Sequence, residues 1–220
     1  YSFYAWWRVD FLLLFIAVTL WNYVLAQFIA KALVSECRKS AKRWLIIAVS
    51  GNLSTLAYFK YADFGINSLN SLLNSIDAAP LPLANVILPI GISFYIFQAI
   101  SYVIDVYRKD VPVTERLVDF AAFIALFPQL IAGPVLRYKD IADQFSSREH
   151  NFKIFSEGVL LFMIGFAKKV LIADSVSSLA DAGFALSEPS FIDAWLSALA
   201  YSIQLYFDFS GYSDMACGLG

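Results

Sequence analysis

The stretch FLLLFIAVTLWNYVLAQFIAKAL, residues 11–33, carries only one charged side chain and is long enough to cross the hydrocarbon core of a bilayer as a helix. The rest of the chain is similar, because 60% of its 220 residues are hydrophobic and only 15% are charged. Long apolar runs without alternation predict helices. The sequence therefore predicts an all-α fold, a polytopic bundle of transmembrane helices.

The distribution of basic residues predicts the orientation of the first three apolar segments. Basic residues follow the first segment, at 31–43, and the third segment, 83–104, is followed by Arg108, Lys109 and Arg116. Residues 62–82, after the second segment at 44–59, contain no Lys or Arg. Because basic loops stay on the cytoplasmic side, we expect 62–82 to be an external loop.

The fourth apolar segment, residues 117–136, breaks this alternation because both of its flanks are basic. Its centre, FPQLIAGP at 127–134, contains two prolines and a glycine, which interrupt helical hydrogen bonding. A re-entrant segment fits this pattern better than a crossing, and a kinked span is the alternative.

Two further apolar segments, 154–174 and 191–207, complete the predicted bundle, with an external loop at 175–190 between them. Lys168 and Lys169 lie near the external end of the first of these, against the positive-inside rule. We expect them to snorkel to the interface or to face a polar interior.

Polar residues inside apolar segments are the candidates for function. Gln98, Ser101 and Asp105 share one helix face, which we expect to point inward. The alternative is interhelical hydrogen bonding, with Asp105 paired to Arg108 or Lys109. Gln129 and Arg137 adjoin the predicted helix breaks in the segment 127–134. Backbone carbonyls freed at these breaks would line a cavity, and a purely architectural bend is the alternative.

The final stretch, YFDFSGYSDMACGLG at 206–220, combines polar and small residues. Asp208 and Ser210 are typical helix caps, so we expect a new helix to start there. Its glycines, Gly211 and Gly218, would allow close packing. One face of this helix would form a small polar pocket wall near the cytoplasmic side, with Ser210, Ser213, Asp214 and Cys217 on it. The alternative is a capped helix of tightly packed small residues.

Several common chemistries find no support in the sequence. The motifs of the common hydrolases, nucleotide-binding proteins and zinc enzymes are absent. The one histidine, His150, lies in a charged segment, and Cys37 and Cys217 are far apart with no other ligand type nearby. We therefore expect no metal site and no disulfide, and the net charge of −2 gives no reason to expect a nucleic-acid partner.

Four motifs in fixed order carry a resemblance to a known family. They are LPIGISFYIFQAISYVIDVYR, FPQLIAGPVLRY, GFAKKVLIAD and YFDFSGYSDMACGLG. Together they closely resemble the membrane-bound O-acyltransferase family, specifically its bacterial alginate O-acetyltransferase and D-alanyl-transfer branch. The resemblance runs through essentially the whole chain. It implies a multi-helix membrane fold with a tunnel, through which an acyl group from a cytoplasmic donor reaches an acceptor hydroxyl on the other side.

The resemblance also implies where the catalytic residue lies. The essential histidine of the family follows the DFSGYSDMA motif, so we expect it beyond Gly220 and no catalytic residue in this chain. The start at Tyr1 likewise suggests a missing N-terminal helix. We therefore expect residues 1–220 to be a single membrane domain, part of a larger one incomplete at both ends and inactive alone.

The expected activity is transfer of acetyl groups to an extracytoplasmic polysaccharide such as alginate, by a multi-pass protein of the bacterial inner membrane. The donor is acetyl-CoA or an acyl carrier. The expected partners are membrane lipid, the polysaccharide acceptor and extracytoplasmic acetyl-transfer proteins. A polytopic transporter and a noncatalytic membrane scaffold are the alternatives.

The polar candidates are assigned to the acyl-donor route. The residues that we expect to line or shape it are Gln98, Gln129, Arg137, Tyr206, Asp208, Tyr212, Ser213 and Asp214. Arg137 would meet a donor phosphate at the cytoplasmic mouth, because a guanidinium group matches phosphate geometry.

Overall fold

The computed structural model describes residues 1–76, 79–82, 86–126, 130, 136–145 and 151–220. All regular elements in these ranges are helical, which confirms the predicted all-α class. The elements are α1 (Ser2–Trp7), α2 (Val9–Val34), α3 (Arg38–Ser75), α4 (Ile92–Arg108), α5 (Leu117–Ala125), α6 (Tyr138–Ile141), a 3-10 turn (Ala142–Phe145), α7 (Phe152–Ala167), a π-helical turn (Lys168–Ala173), α8 (Asp174–Phe184) and α9 (Phe191–Leu219).

The described chain forms two compact units. The first contains residues 1–126 and 136–145, and the second contains residue 130 and residues 151–220. Helix α2 belongs to the first unit and contains the apolar stretch at 11–33. By length and composition, α2 is the one helix in the described ranges that is able to cross a membrane unaided. The first predicted span is therefore a helix of the expected length, and the remaining crossings stay predictions.

Helix α3 is longer than the sequence suggested. It continues through Ser75, so most of the expected external loop at 62–82 is helical. Leucine and isoleucine recur at three- and four-residue intervals from Ile66 to Leu73, and the first proline after Arg38 is Pro80. Because the apolar residues repeat with the period of a helix and no proline interrupts them, α3 continues through this segment. The expected loop at 175–190 is likewise helical as far as Phe184.

Buried polar and aromatic contacts join the helices of the first unit. The amides of Asn22 on α2 and Asn52 on α3 donate to each other's oxygens at 3.0 and 2.6 Å, with both side chains buried. The ring of Phe15 packs between those of Tyr4 and Tyr95, with centroids 5.0 and 4.9 Å away. The buried amides of Asn22 and Asn52 thus satisfy each other's hydrogen-bonding groups where no water reaches them.

The segment after α4 is fixed by hydrogen bonds to its backbone. The side-chain amide of Gln27 donates to the backbone carbonyl of Thr114 at 2.8 Å. The hydroxyl of Tyr23 donates to the backbone carbonyl of Glu115 at 2.7 Å. The Thr114 N–H in turn donates to the hydroxyl of Tyr102 at 3.0 Å. An irregular segment is therefore tied to both α2 and α4.

In the second unit, α7 and α9 run antiparallel and touch through four glycines. A Cβ built on Gly165 would lie 2.5 Å from the carbonyl oxygen of Gly211, and one on Gly218 would lie 2.5 Å from that of Gly158. The glycines are seven residues apart on each helix, so both pairs fall on one seam. The seam, Gly158, Gly165, Gly211 and Gly218, leaves no room for a side chain, and the expected close packing at Gly211 and Gly218 is confirmed.

Helix α9 begins with the predicted apolar segment at 191 and continues without a break through the final motif. Its first turn is closed by a capping box, in which the Ser190 N–H donates to Asp193 at 3.1 Å and the Asp193 N–H donates to the Ser190 hydroxyl at 3.3 Å. The prediction that a new helix starts at Asp208 or Ser210 is wrong, because α9 runs through both. Their side chains contact lysines on another element instead of capping the backbone.

The seam predicts unequal effects of the same substitution. Gly165→Ala should lower stability by about 1–3 kcal/mol, because the new methyl group overlaps backbone atoms that cannot move aside. Gly65→Ala on α3 is the control, since a Cβ there meets no atom within 4 Å and alanine favours a helix over glycine by up to ~1 kcal/mol. Thermal unfolding of the complete protein in detergent measures both. Equal melting temperatures for the two variants would contradict the claim that the seam has no room for a side chain.

Candidate functional site

The candidate site centres on two lysines in the π-helical turn that joins α7 to α8. Lys168 and Lys169 open this turn, and a Cβ on Gly211 would lie 3.1 Å from the backbone nitrogen of Lys169. The seam therefore brings α9 directly against the turn. Single π-helical turns inside α-helices occur often at functional positions, because they redirect side chains that a regular helix would place elsewhere.

Lys168 forms the tighter of two ionic contacts with α9. Its Nζ lies 2.6 Å from Oδ2 of Asp214 and donates to Oγ of Ser210 at 3.1 Å. Ser210 and Asp214 are four residues apart and so share one face of α9. The lysine and aspartate side chains are only 31% and 26% exposed, which shields this pair from solvent.

Lys169 bridges two carboxylates on different helices. Its Nζ lies 2.6 Å from Oδ1 of Asp174, in the first turn of α8, and 2.9 Å from Oδ1 of Asp208 on α9. The two lysines and Asp174, Asp208 and Asp214 make up the lysine–aspartate cluster, whose formal charge is −1. Each ammonium group has at least one carboxylate partner, and the Lys168–Asp214 pair is less exposed than the contacts of Lys169.

The other predicted residues of α9 stand in different environments. The hydroxyl oxygen of Ser213 is buried and has no hydrogen-bond partner among the residues described. Tyr212 is half-buried, whereas Tyr206 is 67% exposed. The structure thus brings Asp208 and Asp214 into one cluster, places Ser213 and Tyr212 on the same helix without direct contact to the lysines, and leaves Tyr206 at the surface.

The predicted residues of the first unit are partly as expected. Gln98 and Asp105 are buried on α4, at 1% and 2% exposure, and Ser101 is half-buried, so the inward-facing stripe is confirmed. In the described structure, no ion pair joins Asp105 to Arg108, and Oδ2 of the aspartate has no hydrogen-bond partner. Arg137 is exposed, and its backbone N–H donates to Asp140 at 3.3 Å.

Some predictions cannot be placed. Gln129, His150 and the centre of the predicted re-entrant segment at 127–134 lie outside the described residues. Among those that are described, no three His, Cys, Asp or Glu side chains come together as metal ligands would.

The pairing of the two lysines with the aspartates of α9 is a feature that sequence reasoning missed. The signal was present, since two lysines interrupt one apolar segment while Asp208 and Asp214 directly follow another. Opposite charges in or next to separate apolar segments indicate pairing between them, because an isolated charge there is costly.

An all-helical chain with ion pairs between apolar helices is typical of integral membrane proteins. Residues 112–220 match the model of MBOAT, the membrane-bound O-acyltransferase family. The whole chain is 60% identical to "Probable alginate O-acetylase AlgI" of Pseudomonas putida, and 99% of it aligns with the peptidoglycan O-acetyltransferase of Helicobacter pylori at 35% identity. The teichoic acid D-alanyltransferase of Bacillus subtilis aligns with 80% of the chain at 25% identity. The chain belongs to the membrane-bound O-acyltransferase family.

The relatives are longer than this chain. The aligned part makes up 45% of the P. putida and H. pylori proteins and 48% of the B. subtilis protein. The chain therefore spans just under half the length of each of these relatives.

The Lys168–Asp214 pair predicts measurable coupling. Lys168→Met and Asp214→Asn should each destabilise the complete protein, because each leaves a shielded charge without its partner. The double variant should lose less than the sum of the two, with a coupling energy on the order of 1 kcal/mol in thermal unfolding. The exposed Lys153–Glu157 pair, 3.9 Å apart on α7, is the control and should show a coupling below ~0.5 kcal/mol. Additive losses at Lys168 and Asp214 would show that their contact contributes nothing.

Proposed function

We propose that this chain is part of a membrane O-acyltransferase that moves acetyl groups from a cytoplasmic donor to hydroxyls of an extracytoplasmic polysaccharide such as alginate. The main support is the 60% identity, over all 220 residues, to the relative named as a probable alginate O-acetylase. The 35% identity to a peptidoglycan O-acetyltransferase supports acetyl transfer as the shared reaction, with the acceptor differing between relatives.

The protein is proposed to cross the bacterial inner membrane several times. Apolar side chains on the second unit support this, because they are exposed on helices other than α2. On α7, Phe155, Leu160 and Met163 are 66%, 63% and 58% exposed, and on α9 Leu199 is 56% exposed. Apolar surface of this extent is stable against lipid or against further helices, and not against water.

Acyl transfer to a hydroxyl requires a base for the hydroxyl proton and donors for the developing oxyanion. The family resemblance assigns the base to a histidine outside this chain. We assign positioning roles to the lysine–aspartate cluster, which fixes the motif at 206–220 against α7. In this arrangement the buried hydroxyl of Ser213 and the half-buried Tyr212 are held on α9 at the acyl route.

The remaining predicted residues complete the route in this proposal. Gln98, Gln129 and Tyr206 keep the role that the sequence predicts for them, which is to line or shape the route. Arg137 meets a phosphate of the donor, which we take to be acetyl-CoA or an acyl carrier. The support for Arg137 is that it is exposed and forms no ion pair with any described residue.

Loss of one carboxylate in the cluster should reduce acetylation without removing the protein from the membrane. In cells lacking the gene, the complete protein carrying Asp214→Asn should give about tenfold or more lower acetyl incorporation into polysaccharide, because small displacements of a reacting geometry are costly. Asp181→Asn is the matched control, since Asp181 is exposed on α8 and forms no ion pair with described residues.

Membrane levels, measured in parallel, separate the two possible roles of Asp214. Reduced acetylation at an unchanged membrane level supports the positioning role. Loss of the protein from the membrane, with normal acetylation per molecule that remains, would limit Asp214 to folding. Complementation by the unaltered complete protein that restores no acetylation at all would contradict the proposed function itself.

Arg137 should affect the donor and not the acceptor. Arg137→Ala should raise the KM for the acyl donor roughly tenfold with kcat nearly unchanged, because a charge-assisted hydrogen bond to phosphate is lost. Lys139→Ala, an equal loss of charge two residues away at another exposed position, should leave the KM unchanged. Steady-state kinetics on purified complete protein decides this, and a similar KM change in both variants would rule out a specific role for Arg137.

A further inference from the structure

A cationic cavity lies in the first unit, where the end of α2, the start of α3 and the end of α4 come together. Its volume is about 470 Å³. The lining residues are Leu33, Glu36, Arg38, Tyr107, Arg108 and Lys109. None of them belongs to the proposed acyl route.

The charges of the cavity are unbalanced and unpaired. Arg38, Arg108 and Lys109 contribute three positive charges, against a single carboxylate from Glu36. Within the described structure, none of these four side chains takes part in an ion pair or a hydrogen bond. Cations that surround one cavity repel each other and create a positive potential, which an anion entering the cavity would relieve.

The backbone around the cavity contributes helix-dipole ends of both signs, because α3 begins there while α2 and α4 end there. The start of α3 carries the positive end of its helix dipole, and its first residue, Arg38, is preceded by Cys37, whose side chain forms no cap. At the end of α4, the carbonyls of Asp105 and Val106 already accept hydrogen bonds from the N–H groups of Asp110 and Lys109, at 2.9 and 3.1 Å. Those carbonyls are thus less available to repel an anion.

Charged residues occupy two backbone positions that glycine would favour. Glu36 and Lys109 have φ angles of 56° and 65°, and they are the two non-glycine residues with positive φ in the described ranges. Each follows the end of a helix in the hydrogen-bond pattern that normally has glycine at this point. A side chain there costs roughly 1 kcal/mol or more, so the lysine is kept at the cavity against the local preference of the backbone.

The position of the cavity indicates the source of the anion. It lies at the end of α2, the helix able to cross a membrane, and beside the basic residues at 31–43 that predict the cytoplasmic side. Basic pockets between helices at the cytoplasmic surface are typical sites for phospholipid headgroups.

We propose that this cavity binds a phosphate group, supplied by the headgroup of an anionic phospholipid of the cytoplasmic leaflet. The guanidinium groups of Arg38 and Arg108 donate to the phosphate oxygens, and Lys109 contributes a further charge. The site is separate from Arg137 and does not depend on the proposed acyl-transfer activity.

Ligand-dependent thermal stability of the complete protein tests the proposal. Phosphatidylglycerol added to detergent micelles should raise the melting temperature, whereas phosphatidylcholine should not. Arg108→Gln should weaken the apparent affinity for phosphatidylglycerol about tenfold, the effect of removing one charge-assisted contact. Lys42→Gln is the matched control, because Lys42 is exposed on α3, belongs to the same basic segment and does not line the cavity.

A second variant separates binding from folding. Lys109→Gly suits the positive φ angle, so without lipid it should melt at the same temperature as the unaltered protein or higher. It should nevertheless lose most of the stabilisation by phosphatidylglycerol. This combination cannot arise from a variant that merely folds badly.

Inorganic phosphate in a parallel titration distinguishes the sources of the anion. Stabilisation by phosphatidylglycerol and not by millimolar phosphate supports a lipid headgroup. Stabilisation by phosphate that Arg108→Gln weakens supports a phosphate site but assigns it to a soluble phosphate compound. No stabilisation by either, or equal stabilisation of Arg108→Gln, Lys109→Gly and Lys42→Gln, overturns the proposal.

Discussion

Two ammonium groups and three carboxylates come together where α9 meets the π-helical turn, and the least exposed of them, Lys168 and Asp214, must be paired because a partly buried charge is costly without its partner. This requirement fixes the register of the second unit. Lys168 reaches Asp214 and Ser210, and Lys169 reaches Asp208, only in one alignment of α9 against the π-helical turn. A shift of α9 by one residue would turn both carboxylates away from the π-helical turn.

The glycine seam and the lysine–aspartate cluster depend on each other. Gly165 lies one turn before Lys168, and Gly211 lies three residues before Asp214, so one of the two close backbone contacts of the seam falls beside the Lys168–Asp214 ion pair. A larger residue at either glycine would separate the helices and lengthen the contact from Lys168. The ion pair in turn opposes the rotation of α9 that would move the glycines off the seam. Steric fit and charge therefore select the same arrangement, which is what a unique native packing requires.

The sequence predicted the structural features that depend on composition and local periodicity. It did not predict those that depend on contacts with residues far away in the chain. The all-α class, the helix at 11–33, the inward face with Gln98 and Asp105, and the packing role of Gly211 and Gly218 all followed from residue type and spacing.

The continuation of α9 through Asp208 and Ser210 did not follow from the sequence, because these are helix-capping residue types that lysines engage instead. A local pattern cannot show that competition, since it depends on Lys168 and Lys169, about 40 residues earlier. Helix α3 was misjudged for another reason. Polarity and the absence of basic residues indicate the side of the membrane, but they do not end a helix, and residues 62–75 contain no proline that would.

The two cationic groups of the chain differ in how their charge is neutralised. Lys168 and Lys169 have three carboxylates within ion-pair distance, whereas Arg38, Arg108 and Lys109 surround a cavity with only Glu36 among them. The chain does not lack acidic residues, since it has 18 Asp and Glu against 16 Lys and Arg. Where helices must be held together, the neutralising charges come from the protein itself. At the end of α2 they do not, and the phosphate of the proposed lipid headgroup would supply the missing negative charge to these exposed cations.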